Sequence, residues 1–109
     1  MKKIFYNVTV KINHDVHDEW LQWMTETHIP DVMNTGKFLE SRVCKMMGMD
    51  EDDGMTYAFQ YIAPNMKTFM EYQNEFSKAL QKDHTDRYKD KYVAFRSLME
   101  VHHELKMNN

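Results

Sequence analysis

The chain has 109 residues, with 14 Lys and Arg against 17 Asp and Glu for a net charge of −3. That is one domain's length, without the basic field that a phosphate backbone demands, so nucleic acid is not an expected partner. The single Cys44 excludes an intrachain disulfide, and no apolar run approaches the ~20 residues of a membrane span.

From the N-terminus, Ile4, Tyr6, Val8, Val10 and Ile12 alternate with Phe5, Asn7, Thr9 and Lys11. Period two predicts a strand with one strongly buried face. Asn13, His14 and Asp15 break it and supply a cap for a helix. That helix carries Val16, Trp20, Trp23, Met24 and Thr27 on one stripe. Pro30 restricts Ile29 to extended geometry, so the helix is expected to stop near His28 at a His-Ile-Pro corner. A short helical turn through Met33 then ends at Gly36.

A second strand is expected over 37–49, with Phe38, Glu40, Arg42, Cys44 and Met46 on one face. The acidic run Asp50-Glu51-Asp52-Asp53-Gly54 reads as an exposed hairpin loop. The third strand, 55–63, sets Met55, Tyr57, Phe59 and Tyr61 against Thr56, Ala58, Gln60 and Ile62. Residues 66–90 read as helix, with Met66, Phe69, Met70, Gln73, Phe76, Leu80 and His84 on one face and a charged end from Asp83. A last strand runs from Tyr92 to about Lys106.

The order β-α-β-β-α-β implies a ferredoxin-like α+β sandwich, a four-stranded antiparallel sheet with both helices on one face. The uncovered face is read as Phe5, Ala58, Ile62, Ala94 and Leu98 among Asn7, Thr9, Gln60, Arg96 and Glu100. A sheet face that apolar is better buried than wet, and the economical cover is a second copy. The expectation is a homodimer that closes through this face into an α/β barrel around a cavity. The residues Met1–Asn7 show no secretory pattern, so a cytoplasmic protein is expected.

Four segments carry a likeness: Ile4-Phe5-Tyr6-Asn7-Val8-Thr9-Val10, Trp20-Leu21-Gln22-Trp23-Met24 with His28-Ile29-Pro30, Thr56-Tyr57-Ala58-Phe59-Gln60-Tyr61, and Tyr92 to Glu100. Together they resemble the bacterial domain of unknown function 4286 family over nearly the whole chain. That family brings no activity with it. At fold level the chain is similar to the dimeric α/β-barrel group. Its members include cofactor-free antibiotic-biosynthesis-type monooxygenases, haem-degrading enzymes and muconolactone-isomerase-like proteins.

Candidate chemistry is sparse. His28 would be a catalytic acid or base at a pocket rim, or would close the His-Ile-Pro corner with a structural hydrogen bond. Trp20 and Trp23 read as core, or as a stacking surface for a planar ligand. Asn7, Gln60, Arg96 and Glu100 would line the enclosed face and bind an acidic or carbonyl-bearing ligand, with Glu100 or Glu40 as the alternative charge partner of Arg96. His14 and His17 stand three apart but lack a third ligand, and His102 and His103 point to opposite faces, so no metal site is expected. Cys44 has no activating context. The functional expectation is a small-molecule-binding barrel for an apolar or aromatic ligand, without a cofactor, of the cofactor-independent oxygenase or isomerase kind. The alternatives are a non-enzymatic assembly or regulatory module and, third, a haem protein with His84 as axial ligand.

Overall fold

The computed structural model describes residues 1–108. Strand β1 (Ile4–Ile12) lies between β3 (Met55–Ala63) and β4 (Tyr92–Glu100), and β2 (Glu40–Lys45) pairs on the far side of β3. All pairings are antiparallel and the order is β2-β3-β1-β4. This is the ferredoxin-like fold. The alternation of β1 does what its sequence demands, burying Ile4, Tyr6, Val10 and Ile12 beneath the helices. The core groups Trp20, Tyr57, Phe59 and Tyr88 at one end and Tyr6, Phe38, Tyr61, Phe69 and Tyr72 at the other.

Several expectations change. The first helix does not stop at His28. A short 3-10 turn leads into α1 (His17–Trp23), which passes through a wide π-helical turn, Met24–His28, straight into α2 (Ile29–Met33). Pro30 lacks an N–H and its ring would collide with the carbonyl four residues back in a regular helix. The widened turn accommodates it without ending the helix. Gly36, at φ +77°, then closes the segment, as its position suggested.

The long second helix is two helices, α3 (Met66–Glu75) and α4 (Ser77–Tyr88), kinked at Phe76. Asn65 caps α3 by accepting from the Thr68 N–H at 2.8 Å. Strand β2 is six residues rather than thirteen, because Gly48 at φ +74° and the solvated acidic run turn the chain away. Strand β4 ends at Glu100.

The correction with the largest consequence concerns β4. In register with β1, Tyr6 faces Leu98, Val8 faces Arg96, Val10 faces Ala94 and Ile4 faces Glu100. Paired residues share a sheet face. Ala94, Arg96, Leu98 and Glu100 therefore lie on the helix side, and Val93, Phe95, Ser97 and Met99 join Phe5, Asn7, Ala58, Gln60 and Ile62 on the uncovered side. One residue of offset reverses every side chain of a strand. The uncovered face is thus more apolar than the sequence reading made it, with Val93 68% and Phe95 62% exposed.

Candidate functional site

Moving Arg96 to the helix side creates the site. A cavity lies between the sheet and the π-turn and α4, with Tyr6, Val8, Tyr61, Tyr92 and Arg96 as its floor. Met24 and His28 from the π-turn, Tyr72 from α3, and Gln81 and His84 from α4 stand in its wall. Its free volume is about 40 Å3, room for about three water molecules. A larger ligand has to part the side chains at the mouth, where Arg96 is exposed to solvent.

Each polar group is set by its element. His28 belongs to the last residue of the π-turn, which swings its ring inward against Trp23 at 5.4 Å and toward His84 at 6.0 Å between ring centres. Its ring has no hydrogen-bond partner among the described residues. The expected structural bond at a His-Ile-Pro corner is absent because there is no corner. Burial drives the pKa of His28 below the ordinary histidine value, opposed by Asp31 and Asp83 and helped by Arg96. Burial, with the charges of His28 and Arg96, lowers that of His84 to about 4. Both imidazoles are therefore neutral at pH 7.

Arg96 does not pair with Glu100 or Glu40. Its Nε donates to the Tyr6 hydroxyl at 3.1 Å. Glu40 takes Arg42 at 2.7 Å, and Glu100 takes His102 at 2.8 Å. Arg96 is thus the one permanent charge in the cavity wall among the described residues. Burial raises the pKa of Tyr6, and the Arg96 charge and hydrogen bond partly offset it. Burial and the neighbouring phenols also raise those of Tyr61 and Tyr72. All three hydroxyls stay protonated as donors. The cavity accordingly offers a fixed cation and phenolic donors facing two neutral imidazoles, one means of stabilising an oxyanion and one of accepting a proton.

The other candidates lie elsewhere. Asn7 and Gln60 are paired neighbours on the uncovered face, and Asn7 donates to Thr9 at 2.9 Å. Trp20 is fully buried, packed edge-on to Phe59 at 5.5 Å. Trp23 is half-buried behind His28, with the Arg87 guanidinium over its ring at 5.3 Å. Neither indole lines the cavity. His17 bonds Tyr57 at 2.7 Å and Asp18 at 2.8 Å, and His84 Nε2 is taken by Trp20 at 2.9 Å, which removes the nitrogen an axial haem ligand would use. Cys44 is exposed on the uncovered face. Among the described residues no helix is long and apolar enough to cross a membrane.

The sequence reading missed Tyr6, Tyr61 and Tyr72 as site residues. The available signal was three hydroxyls at core positions where Phe or Ile would pack as well, since buried hydroxyls need partners.

Solved structures reproduce this fold. SnoaB, a cofactor-independent oxygenase from Streptomyces nogalater, superposes with a TM-score of 0.68 at 9% identity over 98% of this chain and 100% of its own. Hydroxynitrile lyase from Passiflora edulis gives 0.66 at 13% identity over 96% and 98%. A dimeric ferredoxin-like protein from an uncultured marine organism gives 0.65 at 10% identity over 96% and 100%. At such identities the likeness concerns the fold, and the reactions named differ. The chain matches none of the curated proteins. Residues 3–102 match one family throughout, and the chain belongs to it: the domain of unknown function family DUF4286.

Proposed function

We propose that this protein is a small-molecule-binding enzyme whose cavity takes an apolar or aromatic ligand bearing an ionisable oxygen, and that it transfers a proton on that ligand. Isomerases do this, as do cofactor-independent oxygenases that first make an electron-rich anion of their substrate. The observation that carries the reading is Arg96, bonded to Tyr6 and turned into an aromatic cavity opposite neutral His28. A neutral imidazole accepts the proton; the negative charge left on the ligand oxygen falls beside the guanidinium and the phenol, which donate hydrogen bonds to it.

A dimer belongs to the same reading. The uncovered face presents Phe5, Ile62, Val93, Phe95 and Met99, and a second copy of that face is its self-complementary cover. The cavity lies on the opposite side of each sheet, so one protomer holds it whole. If the chain served assembly alone, this face would be its only working surface and the Arg96 cavity would bind nothing.

The test is a binding screen by ligand-detected NMR over planar phenols, aromatic carboxylates and enolisable ketones, against the wild type, Arg96→Met and His28→Gln. The expected result is a binder whose affinity falls about tenfold or more in Arg96→Met, the cost of one hydrogen bond to a charged group. His28→Gln should retain binding and lose exchange of the ligand's acidic proton. A screen without binders, or binding indifferent to Arg96, would overturn the proposal in favour of assembly.

A further inference from the structure

The two histidines of the cavity are not equivalent, and Trp20 makes the difference. Trp20 is 0% exposed, and its indole N–H donates to His84 Nε2 at 2.9 Å. Indole nitrogen is only a donor, so Nε2 must present its lone pair and the ring proton of a neutral His84 sits on Nδ1. Among the described residues Nδ1 has no partner. Among the described residues the one wholly enclosed side-chain polar atom without a partner is the Tyr88 hydroxyl, so Nδ1 is not enclosed, and His84 lines the cavity. The ring is held from its sides as well, with Tyr92 edge-on at 4.4 Å, Tyr88 at 5.6 Å and Trp23 at 6.1 Å between centres. Around it stand His28 from the π-turn, Arg96 and Tyr92 from β4 and Tyr88 on its own helix. None of these carries the negative charge that would favour an imidazolium. Among the described residues His28 has no comparable donor, so both of its nitrogens remain open.

We infer that Trp20 is a positioning residue that holds His84 as the Nδ1–H tautomer, a hydrogen-bond donor to a carbonyl, enolate or carboxylate oxygen of the ligand, which leaves proton acceptance to His28. The ligand half rests on the reading of the cavity as a binding site. The tautomer half needs no ligand.

Long-range nitrogen–proton correlation of the imidazole rings tests it, with His84→Gln to assign the signal. In the wild type His84 should show the Nδ1–H pattern at pH 7. Trp20→Phe keeps an aromatic ring but removes the donor. There the two tautomers should mix, and the titration midpoint of His84 should rise by about one pH unit, the worth of one hydrogen bond to the neutral form. A wild-type His84 that carries its proton on Nε2, or is cationic at pH 7, overturns the inference. So does a Trp20→Phe spectrum identical to the wild type. Should that variant not fold, the wild-type pattern still decides. Benzoate, a planar carboxylate, is the ligand probe. A shift of the His84 Nδ1 signal on titration supports the donor role. Shifts around Arg96 that leave Nδ1 unmoved overturn it while sparing the cavity. No shift anywhere counts against the cavity reading and leaves the tautomer result standing.

Discussion

A neutral His84 has a consequence for stability that can be measured without knowing the ligand. Its folded pKa of about 4 lies below the ordinary 6.5, and that of His28 is lowered too. Above pH 6.5 neither state binds these protons and they contribute nothing to the pH dependence. As pH falls from 6.5 toward 4, the unfolded chain takes up protons that the native state refuses, and stability is lost. For His84 the full loss is on the order of 3 kcal/mol. Urea unfolding of wild type and His84→Gln at pH 7 and pH 4.5 checks this; Gln retains an acceptor for Trp20, so the variant should lose less stability on acidification. Tyr88 offers a second check. Its hydroxyl is buried without a partner among the described residues, so Tyr88→Phe should be neutral or stabilise by about 1 kcal/mol in the same assay. The residue types were legible in part: His28 and Arg96 both drew notice, but on opposite sides of the sheet. A histidine's environment depends on what packs over it, and no spacing in the chain reports that Trp20 reaches His84 across 64 positions.

Elements were easier to read than their joints. Strands β1 and β3 follow from alternation alone, because one face of each meets the helices. Pro30 was read as a stop, yet the helix carries on around it through a wider turn. Local preference was overridden by the burial of Met24 and Val32 on either side. The same turn aims His28 inward. The hairpin joint holds a sharper test. A side chain at Gly54 would place its Cβ 2.3 Å from the Ile12 carbonyl oxygen, whereas one at Gly48 meets nothing within 4 Å. Gly54→Ala should therefore cost about 2–3 kcal/mol or more, since backbone must move. Gly48→Ala should cost only about 1 kcal/mol, for its positive φ. Equal losses in chemical denaturation would show that the close approach is not what selects glycine.

At the scale of the molecule, β4 has its stripes reversed relative to the simplest expectation. Its apolar stripe, Val93, Phe95 and Met99, faces away from the helices, and the stripe with Arg96 faces in. An exposed apolar stripe on the uncovered side of a sheet calls for a partner surface, and on the other side Tyr92, Ala94 and Arg96 border the cavity. Phe95→Glu puts a charge into the centre of the proposed dimer face without touching the cavity. It should give a protein of the 13.2 kDa chain mass in native mass spectrometry where the wild type shows twice that mass. A wild-type monomer, or a variant still dimeric, would refute assembly through this face.

Element order, the ferredoxin-like topology and the family were legible along the chain, because these rest on short-range periodicity and on segments that are recognisable one at a time. The chain also raised the expectation of a dimer through the uncovered face, which is proposed above. Which way β4 faces was not legible there, because alternation defines two faces and the hydrogen-bond register with β1 chooses between them. That choice moved Arg96 from the uncovered face to the cavity and set it beside His28, Tyr6 and His84. The cavity is walled by β1, β3, β4, the π-turn, α3 and α4, and no single stretch of the chain encodes that meeting.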